Sequence, residues 1–142
     1  QNHLNLLYRE EEREMIPFCE DQKIAITPYS PLASGRLTRD WTGDTKRSLT
    51  DQTSKMKYDQ TMDQDRVIVE RVAQVAEELD VKRAQVALAW LMQKEVVTVP
   101  IIGATKESHL LDALPAIDVT LTPEQVAFLE EPYLPHQVVG AR

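Results

Sequence analysis

Two stretches concentrate the side chains that could handle an anion. One runs Tyr29, Ser30, Pro31, Leu32, Ala33, Ser34, Gly35, Arg36. The other is Gly103, Ala104, Thr105, Lys106 and on to His109. Each directly follows a short apolar run that reads as a strand, and α/β folds gather ligands at the carboxyl ends of parallel strands. Backbone N–H groups around Gly35 can turn toward an anion, and Arg36 adds charge. A helix starting near Thr105 offers unsatisfied N–H groups and the positive end of its dipole beside Lys106 and His109. Together these groups suit a phosphate. Taken locally, the same residues also have a plainer reading: Thr105 as a helix cap, Lys106 and His109 as solvated groups, Tyr29 as a core aromatic.

Other chemistries lack their residues. There is no CxxC, no HExxH and no paired histidine at metal spacing, so no metal site is expected. GxGxxG, GxxxxGK[ST] and GxSxG do not occur. His3 and His136 read as structural, and the run Glu10, Glu11, Glu12 reads as a solvated helix start.

The elements that must position the two stretches follow from periodicity. Residues 9–22 predict a charged amphipathic helix with Met15, Ile16 and Cys19 on one face, kinked or restarted at Pro17. Lys23 to Thr27 predicts a buried strand. A long loop then runs to about Met62. Ile68, Val72, Val75 and Leu79 mark a helix with a core stripe. Ala84, Ala87, Leu88 and Leu91 mark the next, with Asp80 as its expected N-cap. Val96 to Ile102, apolar throughout, predicts a strand covered on both sides. A helix over 105–114 and a last one capped by Thr122, with Pro123 in its first turn and Gln125 closing a capping box, complete the order. The tail after Glu131 reads as extended. Strands alternating with helices imply parallel βαβ units, and two secure strands amount to a piece of a larger α/β structure.

With 142 residues and a net charge of -7, the chain suits a single unit over 1–142 and not a nucleic-acid binder, which needs a basic face. No apolar run approaches the roughly 18 residues of a membrane span. The lone Cys19 fits a reducing, cytoplasmic setting and reads as a buried hydrophobe. The opening "QNHLNLLYREEEREM" reads as the interior of a protein, so a fragment or split chain is expected.

Five segments in order, "QNHLNLLYREEEREMIPFC", "ITPYSPLASGRLTR", "AQVALAWLM", "VTVPIIGATKESHLLDAL" and "EEPYLPHQVVG", strongly resemble the C-terminal portion of bacterial aldo-keto reductases. The resemblance covers essentially the whole chain. It implies part of a (β/α)8 TIM barrel, from the end of strand six through strand eight, and NADPH as cofactor for reducing an aldehyde or ketone. It places Gln1 on the nicotinamide carboxamide and Tyr29 against the nicotinamide ring. Ser30, Leu32, Ser34, Gly35 and Arg36 fall in the pyrophosphate loop. Gly103, Thr105, Lys106 and His109 fall on the 2′-phosphate side, and Asp112 faces the adenine. Ala113 stands where many members carry Asn. The family's catalytic Asp, Tyr, Lys and His belong to earlier segments, so no catalytic residue is expected here. Self-association or pairing with a missing N-terminal half is the implied partnership. The alternative is a non-catalytic binding or assembly module built from a partial barrel.

Overall fold

In this computed structural model, residues 1–42 and 50–138 are described. Six α-helices are found among them: α1 (Met15–Asp21), α2 (Gln52–Tyr58), α3 (Met62–Glu78), α4 (Arg83–Met92), α5 (Glu107–Ala113) and α6 (Pro123–Glu130). Helix α3 forms as its stripe dictates, with Ile68, Val72 and Val75 buried and joined by Val69 and Ala76 one position along. Helix α4 is apolar all round from Val86 to Leu91, and every one of those residues is buried. Such a helix belongs in the middle of a core, and α3 and the 3-10 segment Leu114–Asp118 pack against it. Trp90 lies within α4, and its indole Nε1 donates to Glu130 Oε1 at 2.8 Å, which ties α4 to α6. Thr122 caps α6 by accepting from Gln125 N at 3.2 Å, and Gln125 Oε1 accepts from Thr122 N at 3.0 Å.

The strands expected over 23–27 and 96–102 do not form among the described residues: only isolated bridges mark the pairing, and Lys23, Ile24 and Ala25 are exposed where a buried strand was expected, leaving Ile26 alone in the core. Isolated parallel bridges join His3 to Tyr29, Tyr29 to Ile101 and Ile26 to Val97. Tyr29 N donates to Asn2 O at 2.9 Å, Thr98 N to Ile26 O at 3.0 Å and Ile101 N to Pro28 O at 2.8 Å. Three segments therefore lie side by side in parallel, the 26–29 segment in the middle. Pro28 and Pro100 sit inside these runs and have no N–H to give, so the ladder breaks at both places. The strand expected over 96–102 is not covered on both sides. Val96 and Val97 are buried, whereas Val99 and Ile101 are 52% and 41% exposed.

Other boundaries move for local reasons. The helix expected over 9–22 divides into a 3-10 turn (Glu10–Glu12) and α1, which places Pro17 in the first turn of α1 where its ring is tolerated. Met15 leaves the apolar face and is exposed, while Ile16 and Cys19 stay buried. The long loop holds a 3-10 segment (Ala33–Thr38) and α2, capped by the Asp51 carboxylate accepting from Ser54 N at 2.9 Å. Residues 43–49 of that loop lie outside the described residues, as do 139–142 of the tail. Asp80 does not cap α4: it adopts φ 53°, and the helix begins after Lys82, whose N donates to Gln85 Oε1 at 3.1 Å. Thr105 does not cap α5, which begins after an extended Lys106. Glu10 is not solvated; it is buried and accepts from Tyr133 Oη and His136 N, both at 2.7 Å.

Removing the Thr122 hydroxyl leaves the Gln125 N–H unsatisfied. Thr122→Ala is expected to cost about 1 kcal/mol and lower the urea midpoint, while Thr122→Ser keeps the cap and most of the stability. Circular dichroism during urea unfolding checks both.

Candidate functional site

The central segment delivers Tyr29 into a loop of unusual backbone. Ser30, Ala33 and Ser34 take φ of 56°, 48° and 57°, and Gly35 takes 87°. Each non-glycine residue in that region stores about 1–3 kcal/mol of strain, which persists only where neighbours enforce it. The enforcers are identifiable. Ala33 N donates to Ser30 O at 3.0 Å and Gly35 N to Leu32 O at 2.8 Å. From outside the loop, Asn5 Nδ2 donates to Ser30 O at 2.9 Å and Trp41 Nε1 to Arg36 O at 2.9 Å.

This loop meets the segment after Ile101 across a cavity of about 940 Å³. Helix α3 lends Ala73, Ala76 and Glu77 to the wall, the connection to α4 lends Lys82, α4 lends Arg83 and Ala84, and α5 lends His109, Asp112 and Ala113. Of the residues singled out from sequence, Tyr29, Ser30, Leu32, Ser34, Gly35, Gly103, His109 and Asp112 all line it. Gly103 has open space on the side a Cβ would occupy, so backbone is presented there without a side chain.

Four expected residues are placed elsewhere. Gln1 is exposed at the start of the first segment, and Thr105 and Lys106 are exposed outside the lining. Arg36 is buried and turned away: its guanidinium pairs with Asp59 and stacks over Trp41 and Tyr58, at 5.5 and 5.6 Å from the ring centroids. The cations that do reach the lining are Lys82, paired with Asp112, and Arg83, which donates to Asp40 Oδ1 at 2.7 Å. Bonded to and charge-paired with Arg83, the Asp40 carboxyl is held below its ordinary value.

Beneath the cavity lies a cluster drawn from residues remote in sequence. His3 stacks between Tyr8 and Tyr29, with ring centroids 4.3 and 5.1 Å away and both pairs 16° from parallel. His3 Nε2 bonds Tyr58 Oη at 2.8 Å, and Asn5 Nδ2 donates to the same hydroxyl at 3.1 Å. Tyr58 lies 55 positions along the chain from His3, so no local pattern announces the pair. Burial pushes the Tyr58 hydroxyl well above its ordinary pKa. A second buried pair, His136 Nε2 and Asp65 Oδ1 at 3.0 Å, fastens the tail to α3. Among the described residues no group of three or more His, Cys, Asp or Glu could hold a metal, and no helix is long and apolar enough to cross a membrane.

The sequence pattern of the Aldo/keto reductase family matches residues 1–133, and the chain belongs to that family. Over 140 residues it is 39% identical to a versiconal hemiacetal acetate reductase of Aspergillus parasiticus, spanning 97% of this chain and 40% of the relative. An aldo-keto reductase of Fusarium vanettenii is 38% identical over 99% of this chain and 38% of its own length. One from Metarhizium robertsii is 40% identical, again over 99% of this chain and 38% of its own. The chain thus spans about two fifths of these relatives. All three are fungal, so the narrower expectation of a bacterial reductase gains nothing from them.

Burial, then the charges of Lys57 and His136, lower the His3 pKa from 6.5 to about 3. The imidazole is therefore neutral in the fold, while the unfolded chain takes up a proton below pH 6.5. Between these values the unfolded state binds more protons, so stability falls as pH falls through about 6.5 and continues to fall toward 3. His3→Gln is expected to flatten the pH dependence in that window by about 1.4 kcal/mol per pH unit. Urea unfolding of both proteins at pH 4, 5, 6 and 7.5 checks it. Parallel curves would mean that His3 titrates alike in both states.

Proposed function

We propose that this chain is the cofactor-binding part of an NADPH-dependent reductase of aldehydes and ketones, contributing the end of strand six through strand eight of a (β/α)8 barrel. The carrying observation is the cavity at which the loop after Pro28 and the segment after Ile101 meet. Its lining suits a dinucleotide in kind. Tyr29 offers an aromatic face, Ser30 and Ser34 offer hydroxyls, Gly35 and Gly103 offer bare backbone, His109 offers an imidazole, and Lys82 and Arg83 offer cationic groups. NADPH, when bound, supplies the hydride that a carbonyl carbon accepts. The chain's own part is to bind and orient. Tyr29, with Gln1 at the start of the segment bridged to it, serves the nicotinamide portion, Ser30, Leu32, Ser34 and Gly35 the pyrophosphate, Gly103, Thr105, Lys106 and His109 the 2′-phosphate, and Asp112 the adenine. Arg36 serves an anion only by leaving Asp59.

The exposed Val99 and Ile101 support the partial-barrel reading, because flanking strands and their helices cover such residues in a closed barrel. The three relatives support carbonyl reduction, since each is named a reductase. Protonating the carbonyl oxygen needs an acid, and two of the tyrosines suit it poorly: Tyr58 is buried and Tyr133 half-buried, and desolvation raises both hydroxyls well above their ordinary value.

The reading predicts tight NADPH binding without turnover. Calorimetric titration is expected to give a lower Kd for NADPH than for NADH. Lys106→Ala should weaken NADPH by about two- to fivefold and leave NADH unchanged, the small factor reflecting an exposed charge. Incubation with NADPH and a panel of aldehydes should consume none of it. Equal Kd values for the two cofactors would contradict the 2′-phosphate assignment, and turnover on the order of 1 per second would contradict the non-catalytic one.

A further inference from the structure

We infer that His3 is a positioning residue for Tyr29: it fixes the aromatic ring that lines the cavity, while Asn5 and Tyr58 fix His3 and the Ser30 carbonyl in turn. The inference rests on the cofactor reading above and gives a part to a residue that the reading leaves out.

The backbone starts the argument. His3 and Tyr29 are partners in a parallel bridge, so their side chains stand on one face of the pairing. Tyr29 is half-buried and lines the cavity, whereas His3 is 4% exposed and does not reach it. His3 therefore acts through the tyrosine. A tyrosine ring turns about two torsions unless something flat lies against it. The imidazole lies 16° from parallel beneath it, and Tyr8 closes the imidazole's other side at the same tilt. Stacking alone would let the imidazole rotate in its own plane. The bond from Nε2 to Tyr58 Oη at 2.8 Å sets that rotation.

Asn5 extends the same constraint to the next residue of the loop. Its Nδ2 reaches Tyr58 Oη at 3.1 Å and the Ser30 carbonyl at 2.9 Å, and its Oδ1 accepts from Leu7 N at 2.9 Å. One buried unit thus holds both the Tyr29 ring and the left-handed turn at Ser30. Lys57, the residue before Tyr58 on α2, carries its Nζ 4.6 Å from the Tyr29 ring centroid. A leucine would fill this space, but it would supply neither a flat face nor a directed hydrogen bond.

The test uses the 142-residue chain, its His3→Leu and His3→Phe variants, and two ligands. NADPH contains a nicotinamide; adenosine 2′,5′-bisphosphate does not. His3→Leu is expected to weaken NADPH roughly fivefold and to leave the bisphosphate within about twofold, and His3→Phe, which keeps a flat ring, to recover most of the loss. Parallel losses for both ligands, or no loss for either, would overturn the inference. If the wild-type chain binds neither ligand, the cofactor reading fails by itself. Carbon-13 signals of the tyrosine rings then decide on His3. Faster Tyr29 ring flipping in His3→Leu than in wild type supports the positioning role, and unchanged flipping overturns it. Should His3→Leu not fold, Tyr58→Phe removes the bond to Nε2 while keeping the ring, and is read by the same two criteria with about a twofold loss of NADPH.

Discussion

Everything at the candidate site hangs on the backbone of Tyr29, which is bridged to His3 on one side and Ile101 on the other. These pairings bring three remote segments together in parallel at one level. Their extent is limited, because Pro28 and Pro100 within the paired segments have no N–H to give. Past that level the chain has no ladder to satisfy it. The loop bonds inward to itself and to Asn5 instead, in a left-handed backbone that only such support maintains. Cavity, aromatic wall and strained turn are consequences of one registration.

Helices α3 and α4 make that registration possible. Burying Val72, Val75, Trp90 and Leu91 supplies the main apolar drive, at roughly 1.5–3 kcal/mol for each large side chain removed from water. The polar groups drawn in with them are paired: Trp90 with Glu130, and Gln93 with both the N–H and the carbonyl of Leu121. Glu130 shows how. Burial alone would raise its carboxyl, but Lys94, Arg9 and the Trp90 indole outweigh that and hold it below its ordinary value. The core therefore accepts a carboxylate at the α4–α6 contact, near the C-terminal end of α4, while Arg83 and Ala84 at its other end wall the cavity.

Much of this was legible in the sequence where the signal was local. The stripe of α3 and the Thr122–Gln125 cap lie within a few residues of each other, and both form as read. The two loops were recognisable by what precedes them, and eight of their named residues meet at the cavity. What escaped depends on distance or on competing local geometry. Arg36 looked like an anion ligand because Asp59, which captures it, is 23 residues away. Thr105 looked like a cap, yet the chain stays extended through Lys106 before turning. Helix α2 carries few apolar residues, so no stripe marked it; its place is set by Tyr58 packing into the core and by the Asp51 cap. His3 reads from sequence only as structural, because Tyr29 and Tyr58, which give it a face and a hydrogen bond, come from remote parts of the chain.

The central claim is that the loop after Tyr29 and the segment after Ile101 together bind one dinucleotide. Backbone amide NMR of the isotopically labelled chain during NADPH titration tests it most directly. The account predicts that signals from Ser30 to Gly35 and from Gly103 to His109 shift together along a single saturation curve. Shifts confined to one segment, shifts fitting two different curves, or perturbations centred away from both would contradict it.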